Sequence, residues 1–230
     1  MQQHHIILLR HGQSQWNQEN RFTGWTDIPL TDTGRKEARQ AAQALLRTNL
    51  RPDFFFTSYL KRAIHTLQIV ADEMNLDWVP VIKDWHLNER HYGALQGWEK
   101  GEIARKYGDG QTHEWRRGYN SFPPLLSPSD SRWPGHDPRY ASLTSTQIPL
   151  SESLCDTFRR VRCCWEEIIA PILHHHSTIL IVAHGNSLRS LAKLLLNLTA
   201  SEVEHLEIPT GHPWLLTADS RLNIIDHRYL

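Results

Sequence analysis

TILIVAHGNSLR, residues 178–189, joins an uninterrupted apolar run to a His-Gly-Asn turn and the start of an apolar helical pattern. An apolar run of this length without alternation is typical of a strand buried on both faces of a parallel sheet. HIILL (5–9) has the same character and ends in Arg-His-Gly (10–12). The two stretches therefore predict two buried strands, each of which ends in a histidine.

The rest of the chain alternates strands with helices. DFFFT (53–57) predicts another buried strand, and WVPVI (78–82) predicts one that Pro80 confines to the edge of the sheet. Apolar residues at helical spacing predict helices from about Thr33 to Arg47, from Ser58 to Met74, from Ser151 to Ile169 and from the 184–187 turn through Leu196. This alternation indicates βαβ units. We predict an α/β fold, a three-layer sandwich with a mainly parallel central sheet flanked by helices.

One long segment, residues 98–149, departs from this pattern. It is rich in Pro, Gly, Ser, Trp and charged residues, and no periodicity lasts beyond a turn or two. Irregular segments of this length inside a compact chain are usually lids or binding insertions. We expect a single domain over residues 1–230, with 98–149 forming an irregular cap over the active site.

The composition argues against nucleic acids and membranes as binding partners. Lys plus Arg and Asp plus Glu both number 25, so there is no global attraction to nucleic acid or to an anionic membrane. No apolar stretch approaches the roughly 20 residues of a membrane-spanning helix, and the N-terminus does not resemble a signal peptide. The three cysteines form no disulfide framework. We expect a cytoplasmic protein that binds small molecules, without a nucleic-acid or membrane partner.

The ends of the predicted strands collect residues that suit a phosphate. Parallel sheets bind ligands beyond the carboxyl ends of their strands. The sequence places Arg10, His11 and His184 there, with Arg62 early in the helix that follows strand 53–57. The helix dipole disfavours such a cation unless an anion offsets it. A single residue of this kind is usually structural, but four at matched strand ends favour a phosphate site.

His11 is the candidate nucleophile at this site. A neutral imidazole nitrogen can attack phosphorus to form a covalent intermediate, and His184 is the candidate for stabilising the oxygens of the transition state. The oxygen that leaves or attacks also needs a proton donor and acceptor. Glu89, in a Gly-flanked loop, is the candidate for this role, although a loop Glu on its own is more often a solvated charge.

A set of motifs makes the interpretation more specific. LLRHGQSQWN (8–17) resembles the signature of the histidine phosphatase superfamily, and within it the chain resembles the cofactor-dependent phosphoglycerate mutases. Further motifs resemble that family in the family's order: RFTGWTDIPLT (21–31), TSYLKRAIHT (57–66), LNERHYGALQG (87–97), WRRGY (115–119), ESLCDT (152–157), AHGNSLR (183–189) and IPTG (208–211). The resemblance covers nearly the whole chain.

The resemblance implies roles for many residues. The implied catalytic residues are His11 as the phosphorylated nucleophile, Glu89 as proton donor and acceptor, and Arg10, Arg62 and His184. The implied substrate-binding residues are Asn17, Thr23, Gly24, Arg90, Tyr92, Lys100, Arg116, Arg117, Gly185 and Asn186. The implied reaction interconverts 3- and 2-phosphoglycerate in glycolysis and gluconeogenesis, primed by 2,3-bisphosphoglycerate and without a metal. The implied assembly is a homo-oligomer, either a dimer or a tetramer.

The chain departs from the family pattern in two places. Position 13 is Gln where the family usually has Glu, and we expect altered hydrogen bonding beside the nucleophile. Longer members continue past the position of Leu230 into a polar tail that covers the site. Without such a tail we expect poorer water exclusion and faster hydrolysis of the phosphohistidine.

Two other functions stay open at this point. One is a phosphatase or bisphosphoglycerate synthase that uses the same His11 intermediate, and the other is a catalytically silent sensor of a phosphorylated metabolite. Metal binding by His174-His175-His176 is not expected, because consecutive side chains point in different directions and no Cys or carboxylate stands at ligand spacing.

Overall fold

The computed structural model describes residues 3–230. The strands are β1 (His4–Arg10), β2 (Phe54–Thr57), β3 (Val81–Lys83), β4 (Thr178–Ala183), β5 (Trp214–Ala218) and β6 (Ile224–Tyr229). The helices are α1 (Gln15–Gln18), α2 (Asp32–Leu46), α3 (Lys61–Glu73), α4 (Lys100–Tyr107), α5 (Asp109–Arg117), α6 (Leu154–Cys164), α7 (Ala170–Leu173), α8 (Gly185–Leu195) and α9 (Ala200–His205). The strands form a six-stranded sheet in the order β3-β2-β4-β1-β5-β6.

The sheet is mainly parallel, as predicted. β4 lies between β1 and β2 and is parallel to both, and β3 is parallel to β2. β5 runs antiparallel to β1, and β6 runs antiparallel to β5. The first four strands therefore bring their carboxyl ends to one edge of the sheet, where the site residues were expected.

Both faces of the sheet are buried, because side chains alternate along each strand. In β1, Ile6 and Leu8 belong to a core with α6 and α8, whereas Ile7 and Leu9 belong to a second core with α2 and α3. One core lies on each side of the sheet. The predicted three-layer sandwich is confirmed.

Most predicted helices form, and their ends follow local chemistry. α2 begins after Thr31, whose hydroxyl accepts the N–H of Gly34 (3.0 Å). α3 begins later than predicted, after Leu60 and without a side-chain cap. The predicted helix 151–169 instead consists of α6 followed by a π-helical turn, Trp165–Ile169, which leads into α7. Pro171, two residues past the predicted helix end at Ile169, lies in the first turn of α7, where a proline is tolerated.

The segment 98–149 is more regular than predicted. It contains α4 and α5, which are eight and nine residues long and meet at Gly108. The prediction of irregular structure was wrong for these two helices because each is short and mostly polar, so that neither shows a sustained apolar stripe. The remainder of the segment consists of turns and short 3-10 helices.

β5 and β6 had no counterpart in the prediction. β5 is a five-residue buried run, too short for its periodicity to distinguish a strand from a loop. β6 is a mostly exposed edge strand whose sequence, IIDHRY, is polar after its first two residues. Within residues 3–230, no helix is long and apolar enough to cross a membrane.

Candidate active site

The carboxyl ends of β1 and β4 lie side by side. Arg10 pairs with Ala183 across the two strands, and the N–H of His11 donates to the carbonyl of Ala183 at 3.0 Å. The residue after β4 is His184, and its ring centroid lies 4.9 Å from that of His11. The two histidines that the sequence placed at separate strand ends therefore meet at one point.

Each nitrogen of the His11 ring has a defined partner. Nδ1 lies 2.7 Å from the carbonyl oxygen of Gly12, which can only accept, so Nδ1 carries the hydrogen. Nε2 is then the nitrogen with the free electron pair, and Nε–H of Arg62 donates to it at 3.3 Å. Burial, and then the charges of Arg62 and Arg10, hold the pKa of His11 well below its usual value. His11 is therefore neutral, as a nucleophile must be.

The backbone beside His11 is held in place by close packing. A Cβ on Gly12 would overlap the carbonyl group of Gly34 in α2, so no other residue fits without movement of the backbone. The N–H of Gly12 donates to Thr66 Oγ1 in α3 at 3.1 Å. Gln13, one of the two departures from the family pattern, accepts the Thr31 hydroxyl through Oε1 at 2.9 Å. Residues 12 and 13 are thus tied to the two helices on this face of the sheet.

Arg62 is buried in the first turn of α3, with 1% of its surface exposed. Besides its bond to His11, its guanidinium donates to the carbonyls of Gly24 (2.8 Å) and Thr26 (2.9 Å). Burial lowers the pKa of Arg62 to about 10, so it is still charged at neutral pH. The two carbonyls offset part of the unfavourable position of a cation at the start of a helix.

His184 is oriented by the loop between β2 and α3. Its Nε2 lies 2.7 Å from the Ser58 hydroxyl oxygen, which already accepts the N–H of Leu60 at 3.1 Å. The Ser58 hydroxyl can donate its hydrogen to Nε2, and in that tautomer the ring hydrogen lies on Nδ1. That Nδ1 is buried and has no hydrogen-bond partner within residues 3–230. Burial, and then the charges of Arg62 and His11, lower the pKa of His184 well below its usual value, so the ring is neutral.

Glu89 faces the same cavity from the loop after β3. Its Oε1 accepts two backbone N–H groups, from Arg90 at 2.8 Å and from Asn186 at 3.0 Å. Asn186 lies in the first turn of α8, where the helix dipole favours a carboxylate. Both hydrogen bonds that the Glu89 carboxylate accepts within the described chain go to Oε1, which leaves Oε2 available to a ligand.

The walls of the cavity contain half of the ten predicted substrate residues. They are formed by Arg10, His11, Asn17, Arg21, Phe22, Thr23, Gly24, Arg62, Glu89, Tyr92 and Lys100. Asn17 Oδ1 accepts the Ser14 hydroxyl at 2.9 Å, so the amide nitrogen of Asn17 is the end available to a ligand. Gly24 has a φ of +54°, which favours glycine.

Lys100 brings a further positive charge to this cavity from the start of α4. Burial, and then the neighbouring charges of Arg116, Arg10 and Arg117, lower the pKa of Lys100 to about 8. Arg116 and Arg117 end α5, where the carbonyl end of a helix favours cations. They do not line the cavity themselves, but their charges act on the residue that does.

The remaining predicted residues lie behind the cavity wall. Arg90 is fully buried, and its guanidinium donates to the carbonyls of Glu152 (2.7 Å), Ser121 (2.5 Å) and Gly118 (3.5 Å), so it supports the loop and does not line the cavity. Gly185 lies against the Arg10 guanidinium, and a Cβ added to this glycine would lie 3.6 Å from Arg10 Cζ.

Arg21 and Phe22 line the cavity but were not predicted. Both lie within the RFTGW motif, of which the prediction used only Thr23 and Gly24. An arginine beside a residue already assigned to substrate binding was the signal available. Arg21 also donates to the carbonyl of Gly97 at 2.8 Å and pairs with Glu19, so its charge is partly compensated.

The identity of the site rests on its chemistry and not on its size. The cavity at His11 is small, about 70 Å³. A wider cavity of about 670 Å³ lies between the end of α8 and β6, but its walls hold no comparable set of His, Arg and Glu side chains. Among residues 3–230, no group of three or more His, Cys, Asp or Glu side chains is placed to hold a metal ion.

Comparison with known families agrees with this geometry. Residues 6–131 and 127–225 match the model of the histidine phosphatase superfamily (branch 1). The chain belongs to this superfamily. It is therefore an enzyme of a superfamily whose chemistry runs through a phosphohistidine.

Solved structures with the same fold include several phosphatases. A mycobacterial glucosyl-3-phosphoglycerate phosphatase is 24% identical, with a TM-score of 0.71 over 99% of this chain and 97% of that chain. A putative alpha-ribazole-5'-P phosphatase from Escherichia coli is 21% identical, with a TM-score of 0.72 over 99% and 95%. The alpha-ribazole phosphatase from Shigella flexneri is 23% identical, with a TM-score of 0.69 over 98% and 95%. At these identities the likeness shows the fold alone.

Proposed function

We propose that this member of the superfamily is a 2,3-bisphosphoglycerate-dependent phosphoglycerate mutase. The observation that carries the proposal is the position of Lys100, which lines the His11 cavity. Burial, and then the charges of Arg116, Arg10 and Arg117, lower the pKa of Lys100 to about 8. A phosphate group beside His11 is already matched by Arg10 and Arg62. Additional cations suit a substrate that carries a second anionic group close to its phosphate, as phosphoglycerate does with its carboxylate.

His11 acquires its phosphoryl group by attacking a phosphate ester. The free electron pair of Nε2 forms a bond to phosphorus, and the bond from phosphorus to the donor oxygen breaks. Arg62 donates a hydrogen bond to Nε2 before the substrate binds. That bond must break for Nε2 to attack, and the Arg62 Nε–H, which keeps its proton, then donates to an oxygen of the arriving phosphoryl group. The Gly12 carbonyl keeps the proton on Nδ1 throughout and stabilises the charge that develops on the ring.

The phosphoryl oxygens are stabilised by groups that are already in place. Arg10 Nε and His184 Nδ1 are buried and have no hydrogen-bond partner within residues 3–230. Leaving such groups unpaired is costly unless a ligand completes them. Their alignment before the substrate arrives is what electrostatic stabilisation of a transition state requires.

Glu89 handles the proton of the substrate oxygen. In the cycle, Glu89 takes the proton from the free hydroxyl of bound 3-phosphoglycerate, and that oxygen attacks the phosphohistidine as the bond from His11 to phosphorus breaks. His11 then attacks the other phosphate of the resulting bisphosphate, and Glu89 returns the proton to the oxygen that leaves. The product is 2-phosphoglycerate, and His11 again carries a phosphoryl group.

A primer is needed because His11 must carry a phosphoryl group before the cycle starts. When bound, 2,3-bisphosphoglycerate supplies that group. The residues present fit such a polyanion: besides the two unpaired donors at the phosphate position, Arg117 Nη1 is a buried donor without a partner in the described chain. Lys100 would hold the second phosphate, and Arg117 would add its charge from behind the cavity wall.

The test is an assay with 3-phosphoglycerate, with and without 2,3-bisphosphoglycerate, in which 2-phosphoglycerate is followed by coupling to its consumption. We expect isomer formation that depends on the primer and is lost in His11→Ala. Absence of 2-phosphoglycerate under both conditions would refute the mutase proposal.

A phosphatase is the second candidate, and the names of the similar structures favour it. The same His11 intermediate gives a phosphatase when water, in place of a glycerate hydroxyl, attacks the phosphohistidine. Measuring phosphate release and isomer formation in one sample separates the two. Release of phosphate from 3-phosphoglycerate without any 2-phosphoglycerate would identify a phosphatase.

A further inference from the structure

We infer that Arg160 and Glu152, which do not line the cavity at His11, are positioning residues that set the orientation of Glu89. This inference rests on the proton-transfer role proposed for Glu89, and deepens it by naming what holds that carboxylate in place. The two residues form a buried ion pair behind the loop 86–92.

All the donors of Arg160 are used, either by Glu152 or by the loop 86–92. Its Nε donates to Glu152 Oε1 at 2.7 Å, and Nη2 donates to Glu152 Oε2 at 2.9 Å. The remaining bonds go to carbonyls of the loop: Nη1 to His86 (2.5 Å) and Asn88 (2.9 Å), and Nη2 to Glu89 itself (3.0 Å). A guanidinium has five N–H groups, and here every one has an acceptor.

Glu152 holds the other side of the same loop. Its Oε2 accepts the N–H of His91 at 2.8 Å, its backbone N–H donates to the carbonyl of His91 at 2.9 Å, and its own carbonyl accepts Arg90 Nε. Glu89 therefore lies between residues that are fixed on both sides. Its backbone is bound by Arg160, and its carboxylate is bound by the N–H of Arg90 and of Asn186.

Stability alone is a poor reason for this arrangement. Arg160 and Glu152 are 8% and 4% exposed, and the cost of removing two charges from water often cancels the gain of pairing them in a protein interior. A network with every donor satisfied does, however, fix one backbone geometry. Proton transfer needs that precision, since misplacement by about 1 Å can cost about 10²-fold in rate.

The experiment compares two leaving groups on the same enzyme sample. An alkyl phosphate such as 3-phosphoglycerate needs a proton on its departing oxygen, whereas p-nitrophenyl phosphate releases a stable anion and does not. The readout is the ratio of kcat/KM for phosphoryl transfer to His11 from the alkyl donor to that from the aryl donor. Because both values come from one sample, loss of folded protein cancels in the ratio.

Glu89→Gln sets the scale, since a general acid contributes about 10²–10⁴-fold. We expect Arg160→Gln and Glu152→Gln to lower the ratio at least about tenfold, with nearly unchanged aryl activity. Arg160→Lys, which keeps the charge but offers fewer donors, should fall between wild type and Arg160→Gln. Arg159→Gln is the matched control, because Arg159 is exposed and pairs only with Asp156 within the described chain. Its ratio should equal that of wild type.

Two results would count against the inference in different ways. A wild-type ratio in Arg160→Gln and Glu152→Gln, alongside a lowered ratio in Glu89→Gln, would show that the pair does not position Glu89. An unchanged ratio in Glu89→Gln would instead remove the proton-transfer role on which the inference rests. Both results concern only phosphoryl transfer to His11, which a mutase and a phosphatase share. The mutase proposal is tested by the isomer assay above, so its failure can be distinguished from failure of this inference.

Discussion

Substrate affinity should fall as pH rises from 7 to 9, and Lys100 should be the cause. Burial and the surrounding arginines lower the pKa of Lys100 to about 8 before the substrate binds. A lysine with a lowered pKa loses its positive charge at a lower pH than an ordinary lysine. With a pKa of about 8, Lys100 is charged in about nine tenths of the molecules at pH 7 and in about one tenth at pH 9. If a bound anion requires that charge, the dissociation constant rises about tenfold over this range, or about 1.4 kcal/mol.

The assay is calorimetric titration of 3-phosphoglycerate at half-unit pH steps. Lys100→Arg is the deciding control, because arginine stays charged over the whole range and should flatten the profile. Lys100→Met should bind more weakly at pH 7 and show no further weakening up to pH 9. A tenfold loss of affinity in Lys100→Arg identical to that of wild type would refute the assignment, since another group would then be titrating.

Two further predictions concern stability. Gly12→Ala should lower the free energy of unfolding in denaturant by about 1–3 kcal/mol, because the new Cβ would overlap the Gly34 carbonyl. Gly110→Ala is the control. Its Cβ would meet nothing within 4 Å, so this variant should be as stable as wild type or more stable. Stability should also decline as pH falls below about 6.5, because the unfolded chain then protonates histidines that the fold keeps neutral. Burial lowers the pKa of His91 to about 3, so His91→Gln should reduce the slope by about 1.4 kcal/mol per pH unit between roughly pH 6 and 4. The exposed His113→Gln should match wild type, and an unchanged slope in His91→Gln would contradict the linkage.

The parallel part of the fold could be predicted from the sequence because β1 and β4 are short apolar runs that end in His-Gly. Their shared carboxyl edge, expected from those runs, is what places His11 beside His184. β5 and β6 gave no such signal, since an antiparallel edge hairpin requires neither a continuous apolar run nor a helix after it.

The site, too, could be predicted only in part. Most of the side chains that line the cavity come from recognisable motifs, and Lys100 could be placed near His11 by resemblance. The supporting contacts could not be foreseen, because they join residues far apart in sequence. Arg160 lies 71 residues from Glu89, to whose carbonyl it donates, and Ser58 lies 126 residues from His184. Arg90 was predicted to bind substrate because it lies in a motif. Its motif position could not show that its guanidinium faces backbone carbonyls.

The most direct test of the proposed chemistry is to locate the phosphoryl group on the protein. Wild-type enzyme is treated with 2,3-bisphosphoglycerate, and the modified peptide is examined by mass spectrometry and ³¹P NMR under conditions that preserve acid-labile phosphoramidates. Because Nδ1 of His11 donates to the Gly12 carbonyl at 2.7 Å, we predict one phosphoryl group on Nε2 of His11 and none in His11→Ala. Phosphate on Nδ1, on His184 or on no histidine would contradict the role assigned to His11.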